Sequence, residues 1–292
     1  MITDPFIART VRELRMHLEP LRENGAKVAF VPTMGALHAG HQALMARAAE
    51  LADICVVSIF VNPTQFGAGE DFAKYPRTWE SDLALCAQAG VAVIFAPNEE
   101  VVYGGKKQVS VKVGSLADAF EGADRPGHFD GVATVVAKLF NMVQPDVAIF
   151  GEKDAQQLAI VRAMVRSLDF TVAIESLATV RESDGLAMSS RNRYLSDSER
   201  SSARVIPQSL EAAKANADRG LRAVVAAVHA EFETEPTVGV SYIAVVDPQT
   251  FVEVGADHHG EALLLIAASV GSTRLIDNTL LDLHAPAVTV MT

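Results

Sequence analysis

Residues 27–41 read KVAFVPTMGALHAGH, and this stretch decides the fold of the first part of the chain. It opens with a short apolar run that stops at Pro32, as is typical of a strand buried within a parallel sheet. Gly35 and Gly40 then permit a tight turn in which the backbone can approach a ligand closely. A helix is predicted over residues 41–52 directly afterwards. The stretch therefore predicts a strand, a loop and a helix, the repeating unit of α/β folds.

The same alternation of strand-like and helix-like runs continues to about residue 175, which indicates a parallel sheet covered by helices. Open sheets of this kind bind ligands in the loops that follow their strands. The strands are predicted at residues 27–31, 54–60, 91–95, 146–150 and 170–175, and the remaining helices at residues 79–89, 132–142 and 155–168.

The composition changes near Val180, where helical stretches come first and strand-like runs follow. This order is typical of an α+β module. We therefore predict an α/β protein with a Rossmann-like parallel-sheet domain over residues 1–178 and a smaller C-terminal α+β domain over residues 179–292. The helices of the second domain are predicted at residues 197–219 and 221–232, and its strands at residues 241–246, 262–270 and 273–276.

The composition excludes several classes of protein. The 292 residues are 49% hydrophobic and 21% charged, unlike the residues of disordered or fibrous chains. The net charge of −11 makes the surface repel a phosphate backbone, so nucleic acid is not expected as a partner. Cys55 and Cys86, the 2 cysteines, supply neither a disulfide framework nor a cysteine-based zinc site.

The sequence also gives no sign of a membrane segment. Residues 1–21 contain charged side chains among their apolar ones, so no targeting segment is predicted. The longest apolar run, residues 263–270, is far shorter than the roughly 20 residues that span a bilayer. We therefore expect a soluble, cytoplasmic protein with no membrane partner.

His38 and His41 lie where the first predicted helix begins. A helix N-terminus offers free N–H groups to a phosphate, and two imidazoles beside it add donors for a developing negative charge. Zinc binding is one alternative, although metalloprotease histidines are four residues apart and these are three. Incidental surface histidines are a second alternative. We favour contacts with a phosphate during nucleotidyl transfer.

Amide side chains follow the second long strand. Asn62 and Gln65 could hold the hydroxyls and carboxylate of a small polar substrate while Pro63 fixes the turn, and the alternative is an ordinary capped turn. Farther along the chain, Asp82 could contact Mg²⁺ bound to phosphates, or could simply stabilise the first turn of its helix.

Two later polar stretches complete the candidates. Lys153 follows the strand at residues 146–150, so its ammonium could reach a phosphate, with a solvated charge cluster as the alternative. Asp154 could contact the bound molecule, or could be merely the N-cap of the helix that follows. Gln157, one turn later, could point into the same cleft. Residues 184–192 read DGLAMSSRN, which suits a polyphosphate clamp able to close over substrate, or else a plain surface loop.

These elements, in this order over residues 28–195, resemble the pantothenate synthetase (pantoate–β-alanine ligase) family, and residues 275–278 resemble the end of that family's sequences. The resemblance implies a reaction in two halves. Pantoate and ATP give pantoyl adenylate and pyrophosphate, and the amine of β-alanine then attacks the acyl carbon and releases AMP. It also implies Mg²⁺ and a homodimer.

The resemblance implies roles for individual residues as well. The catalytic residues would be His38 and His41, which contact the ATP phosphates, and Lys153 and Arg191, which stabilise charge on the transferring and leaving groups. The implied ATP-binding residues are Pro32, Met34, His38, His41, Gly151, Lys153, Asp154, Met188, Ser189, Ser190 and Arg191.

Pantoate binding follows from the same resemblance. Thr64 departs from the pattern because the family commonly has Met there, which could alter the pantoate wall. Ser81 and Leu85 replace acidic or amide residues found near the magnesium of some relatives, which weakens the case for Asp82 as a metal contact. Pantoate would be held by Asn62, Gln65 and Gln157 in a cleft lined by Arg125 and His128.

Physical reasoning agrees with this activity. Attack of a carboxylate on a phosphate brings two anions together, so the reaction needs several cations and donors in one cleft. Two alternatives remain open. A nucleotidyltransferase that stops at adenylyl transfer would need a cationic acceptor site instead of amides, and a non-catalytic adenine-nucleotide sensor would bind ATP without releasing pyrophosphate.

Overall fold

The structure is a computed structural model that describes residues 4–105 and 108–284. The chain divides into two compact units. The first comprises the residues up to Glu152 together with Gln156–Ala178, and the second comprises Lys153–Ala155 and the residues from Thr179 onward. Within the described ranges, every helix is too short or too polar to cross a membrane.

The first unit contains a six-stranded sheet in the order β1-β4-β3-β2-β5-β6. Every neighbouring pair of strands is parallel, which confirms the predicted α/β class. The five predicted strands are present with ends displaced by a few residues, and the short edge strand β1 was missed. The strands are β1 (Phe6–Ala8), β2 (Val28–Thr33), β3 (Ile54–Ile59), β4 (Val93–Phe95), β5 (Val147–Gly151) and β6 (Ala173–Leu177).

Helices cover both faces of this sheet, and three of the seven in the described part of this unit, α1, α4 and α5, were not predicted. The first helix was missed, although Thr10 and Glu13 form a capping box at its start. The sixth was predicted to begin at residue 132, but it begins four residues earlier, at His128. The helices are α1 (Val11–Glu23), α2 (Ala39–Leu51), α3 (Trp79–Gln88), α4 (Glu99–Tyr103), α5 (Glu121–Asp124), α6 (His128–Val143) and α7 (Ala155–Ser167).

Alternate residues of the strands enter different cores because successive side chains point to opposite faces of a sheet. Phe30 is fully buried in a core built with α1, α6 and α7. Its neighbour Val31 is fully buried in the core on the other face, which α2 and α3 cover. Both faces are therefore apolar, which explains why β2 reads as a continuous hydrophobic run.

The second unit is the predicted α+β module. Its strands β7 (Val238–Val246), β8 (Gly260–Val270) and β9 (Thr273–Leu283) form an antiparallel sheet. The last strand was predicted to end at residue 276, but it pairs with β8 along its whole length. The helices α8 (Asp197–Ala203), α9 (Val205–Ala215) and α10 (Leu221–Glu233) complete this module, and a separate apolar core joins them to the sheet.

The order of the strands determines where ligands can bind in the first unit. β2 lies between β3 and β5, and the chain continues from β2 and from β5 in opposite directions across the sheet. This reversal creates a crevice at the carboxyl ends of the two strands, where open α/β sheets bind ligands. The loops after β2, β3 and β5 consequently lie along the same edge.

Gly131 allows α6 to approach the turn that follows β3. A Cβ at this position would lie 2.2 Å from the carbonyl oxygen of Thr64 and 2.8 Å from the Cα of Gln65. Both neighbours are backbone atoms, so neither can move aside independently. Only glycine fits this contact.

We predict that Gly131→Ala lowers the free energy of unfolding by about 1–3 kcal/mol, the usual cost of overpacking. A decrease is diagnostic because, without the overpacking, replacing glycine with alanine in a helix would raise the free energy of unfolding by about 1 kcal/mol. Urea unfolding of both proteins measures the difference. Gly239→Ala is a matched control, since its Cβ would meet the Ser269 carbonyl at an ordinary 3.8 Å. A Gly131→Ala protein as stable as the parent would contradict this packing.

Candidate active site

The loop between β2 and α2 makes a left-handed turn at two consecutive residues. Gly35 has φ +82° and Ala36 has φ +52°, an uncommon value for a residue with a Cβ. The turn directs the N–H groups of Ala36 and Leu37 at the carboxylate of Asp82, over 3.0 Å and 2.8 Å. An anion supplied by α3 therefore holds the loop in place.

Asp82 is 2% exposed and is satisfied within the protein. Besides the two backbone donors, the hydroxyl of Thr78 donates to its Oδ1 over 3.0 Å. A carboxylate has about four lone-pair sites, so at most one remains for a cation. Within residues 4–105 and 108–284, no group of three or more His, Cys, Asp or Glu side chains is arranged to hold a metal ion. The metal contact predicted for Asp82 stays a prediction.

Thr33 ties the same loop to the neighbouring strand. Its hydroxyl donates to the Ser58 carbonyl over 2.6 Å and accepts the N–H of Gly35 over 3.2 Å. The loop is thus fixed from two sides, by β3 through Thr33 and by α3 through Asp82. A rigid loop can present the next residues, His38 and His41, in one geometry.

The structure brings His38 and His41 together at the start of α2. Their ring centroids are 4.1 Å apart, and the backbone N–H of His38 donates to Nδ1 of His41 over 3.3 Å. Because Nδ1 accepts, the proton of a neutral His41 ring is on Nε2. His41 therefore offers an Nε2–H donor beside the N-terminus of α2, where N–H groups already favour an anion.

Asn62, Gln65 and Met34 also lie together. Asn62 is the N-cap of a 3₁₀ turn over Pro63–Gln65 directly after β3. Its Nδ2 donates to Oε1 of Gln65 over 3.0 Å, and Nε2 of Gln65 lies 3.1 Å from the Met34 sulfur. Sequence reasoning missed Tyr103, whose hydroxyl donates to Oδ1 of Asn62 over 2.6 Å.

Arg125 and His128 contact the backbone of Gln65. Nδ1 of His128 donates to the Gln65 carbonyl over 2.7 Å, and the Arg125 guanidinium lies 3.0 Å from the other ring nitrogen of His128. Arg125 also forms an ion pair with Glu70 at 2.7 Å. The hydrogen bond from Arg125 lowers the pKa of Glu70 below its ordinary value. Nothing in the sequence indicated that Glu70, 55 positions away, would pair with Arg125.

The remaining candidates of the first unit lie on β2, β5 and α7. Pro32 is half-buried on β2, and Gly151 is the last residue of β5, the strand next to β2. Gln157 is half-buried in the first turn of α7. In the described part of the chain its amide has no hydrogen-bond partner, so the amide is available to a ligand.

The second unit holds Lys153 and Asp154. Nζ of Lys153 lies 3.5 Å from Oδ1 of Asp154, and the Lys153 side chain is 18% exposed. The Lys153 carbonyl accepts a hydrogen bond from Nδ2 of Asn278 on β9 over 2.9 Å. Asn278 therefore fixes the backbone that carries this cation, a role that sequence reasoning did not assign to it.

The loop with the serines and arginine has a well-anchored base. The backbone of Arg181 forms an isolated antiparallel β-bridge with that of Ala187. The Arg181 guanidinium donates two hydrogen bonds to the carboxylate of Asp277, over 2.7 Å and 3.1 Å. That carboxylate raises the pKa of Arg181. At the other end, Asn192 donates to Glu182 over 2.6 Å. These anchors were also missed because they depend on contacts that no spacing in the sequence indicates.

Met188, Ser189, Ser190 and Arg191 follow this base. The Ser189 hydroxyl accepts the backbone N–H of Arg191 over 3.3 Å and caps a 3₁₀ turn over Ser190–Tyr194. All four residues are half-buried. The turn thus groups two hydroxyls and a guanidinium on one short segment, a combination suited to phosphate oxygens.

The chain is similar to proteins of known activity along nearly all of its length. It is 50% identical to the pantothenate synthetase of Thermobifida fusca, with 96% of each chain covered. The crystal structure of pantothenate synthetase from Thermus thermophilus superimposes with a TM-score of 0.89 at 45% identity, over 94% of this chain and 98% of that one.

A second solved structure carries ligands. Pantoate-β-alanine ligase from Francisella tularensis, complexed with β-γ ATP and β-alanine, has a TM-score of 0.78 at 30% identity, over 94% of this chain and 97% of that one. The family model for pantoate-β-alanine ligase matches residues 6–280. Together with the paired histidines and the buried amides, these matches show that the chain belongs to the pantoate-β-alanine ligase family.

Proposed function

We propose that this chain condenses pantoate with β-alanine to pantothenate through a pantoyl adenylate, with ATP converted to AMP and pyrophosphate. The observation that carries the proposal is the turn at the start of α2, where His38 and His41 lie side by side next to the N–H groups of the helix N-terminus. Buried amides in the loop after the adjacent strand support it, since they suit a small polar acid.

In the first half-reaction, a carboxylate oxygen of pantoate bonds to the α-phosphorus of ATP, and the bond to pyrophosphate breaks. Negative charge accumulates on the phosphoryl oxygens as two anions meet. The Nε2–H of His41 and the N-terminus of α2 are already oriented, so they stabilise this charge without reorganisation. Lys153 and Arg191 add positive charge. The ATP-binding residues proposed with them are Pro32, Met34, His38, Gly151, Asp154, Met188, Ser189 and Ser190.

In the second half-reaction, the amine of β-alanine attacks the acyl carbon, AMP leaves with the bonding electrons, and the amine loses a proton. No protein nucleophile is required, because the adenylate already activates the acyl group. The cysteines agree with this. Burial raises the pKa of Cys55 and of Cys86 to about 12, so neither is a thiolate at neutral pH.

Pantoate binding is assigned to the amides. Gln65 and Gln157 would donate to its oxygens, with Asn62 behind Gln65. Mg²⁺ would enter with the phosphates of ATP, as is usual for an ion that keeps several waters and few protein ligands. The homodimer that the resemblance implies, and the cytoplasmic location expected from the sequence, stay predictions.

Isotope exchange tests the adenylate directly. With pantoate and ATP but no β-alanine, labelled pyrophosphate should exchange into ATP, because the first half-reaction is reversible before the amine arrives. Omitting pantoate is the control and should abolish the exchange. Pantothenate formation without any exchange would remove the adenylate from the account.

Loss of a preorganised donor should reduce turnover strongly. We predict that His41→Ala and Lys153→Ala each lower kcat by on the order of 10² or more. His229→Ala on α10 and Lys214→Ala, whose ammonium is paired with Glu211, remove the same groups from exposed helix positions and should leave kcat within twofold. Near-normal turnover of both site variants would overturn the assigned roles.

Asp82→Asn separates support of the loop from contact with metal. An amide presents a donor where the carboxylate accepts from Ala36 or Leu37, so one buried N–H loses its partner. We predict that kcat/KM for ATP falls about tenfold, a cost of about 1–3 kcal/mol. The Mg²⁺ concentration for half-maximal rate should not change. A marked rise in that concentration would instead identify Asp82 as a metal contact.

A further inference from the structure

The side-chain amide of Asn62 has its direction set by two backbone groups. The N–H of Thr64, which can only donate, lies 3.2 Å from Oδ1 of Asn62. The carbonyl of Gly131, which can only accept, lies 3.3 Å from Nδ2. Rotating the amide by 180° would set donor against donor and acceptor against acceptor. Asn62 therefore has one stable orientation.

This orientation determines that of Gln65. The other hydrogen of Asn62 Nδ2 is donated to Oε1 of Gln65 over 3.0 Å, so the oxygen of Gln65 faces Asn62. Its Nε2 consequently faces away, where the sulfur of Met34 lies at 3.1 Å. A thioether is a weak acceptor. In the described ranges the Gln65 amide has no further partner, so an oxygen of a ligand can replace the sulfur.

Tyr103 and Thr64 strengthen this arrangement at the oxygen of Asn62. The Tyr103 hydroxyl donates to Oδ1 over 2.6 Å, and the Thr64 hydroxyl donates to it over 3.0 Å. The two hydroxyls are 3.1 Å apart. With the Thr64 N–H, three donors converge on one buried oxygen. Burial also raises the pKa of Tyr103, so its phenol remains a donor throughout the neutral range.

We propose that Tyr103 and Thr64 are positioning residues that fix the Gln65 amide with its N–H groups toward the substrate. The site would then recognise pantoate through an oxygen that accepts a hydrogen bond, a carboxylate or a hydroxyl oxygen. This inference rests on the proposed function and deepens it. Each hydroxyl donates its single hydrogen to Asn62, so neither hydroxyl can donate to the substrate.

Two hydroxyl deletions test the proposal. In Tyr103→Phe and Thr64→Val, the KM for pantoate should rise about three- to tenfold, the effect of one neutral hydrogen bond. The KM for ATP should stay within twofold, because both hydroxyls donate to Asn62, which is not among the residues assigned to ATP. Tyr242→Phe, the same deletion on β7 of the second unit, is the matched control. An unchanged KM for pantoate in both variants would overturn the proposal.

A double-mutant cycle shows whether the effect passes through Gln65. In a Gln65→Met background the amide is gone, so Tyr103→Phe should change the KM for pantoate no further. A purely structural role of Tyr103 would instead add its full effect in that background, which would contradict the proposal. Thermal unfolding of each variant shows whether a loss of affinity comes with a loss of the fold.

The proposed function can fail separately. If the parent protein forms no pantothenate, that function is wrong, and the orientation of Gln65 is still measurable by NMR. Nuclear Overhauser contacts between the Gln65 amide protons and the Met34 methyl group should be present in the parent and weakened in Tyr103→Phe. Equal contacts in both proteins would overturn the positioning role whatever the substrate.

Discussion

The contact between the Asp82 carboxylate and the N–H groups of Ala36 and Leu37 determines the geometry of the candidate site in the first unit. It compensates a left-handed turn that Ala36 would otherwise adopt at a cost. This turn also fixes where α2 begins, and hence where the two imidazoles lie side by side. A negative side chain thus shapes the loop that we propose binds a negative ligand.

Buried polar groups carry most of the specificity proposed here. Asn62 is 1% exposed, and every donor and acceptor of its amide is used within the protein. Unpaired, such a group would cost about 1–3 kcal/mol, so the network has one favourable arrangement and several costly ones. Gln65, at its end, is the member with a hydrogen left to donate. The backbone N–H of Thr64 and the carbonyl of Gly131 thus set the orientation of the Gln65 amide, which favours a substrate atom that accepts a hydrogen bond.

Much of the first unit could be predicted from the sequence because its signals are local. The apolar run before Pro32 and the two glycines that follow predicted β2, its loop and α2, and the loops after β3 and β5 followed from the same alternation. The edge strand β1 was missed because three residues carry no periodicity. β9 was predicted too short because pairing with β8, rather than composition, sets its end.

The missed site residues share a physical cause. Tyr103 lies 41 positions from Asn62, and Asn278 lies 125 positions from Lys153. Their roles depend on which elements meet in space, and no spacing in the sequence encodes that. Asp82 differs from these residues because the sequence did single it out, in the first turn of its helix. Its partners in the loop after β2, Ala36 and Leu37, were nevertheless not predicted.

A crystal structure with pantoate and an ATP analogue that cannot transfer its adenylyl group would be the most direct test, because it would show both donor positions in the first unit with the triphosphate intact. We expect a phosphate oxygen within about 3 Å of Nε2 of His41 and a pantoate oxygen at a similar distance from Nε2 of Gln65, the ordinary range of hydrogen bonds. A triphosphate bound away from the start of α2, or pantoate facing the oxygen of the Gln65 amide, would contradict the account.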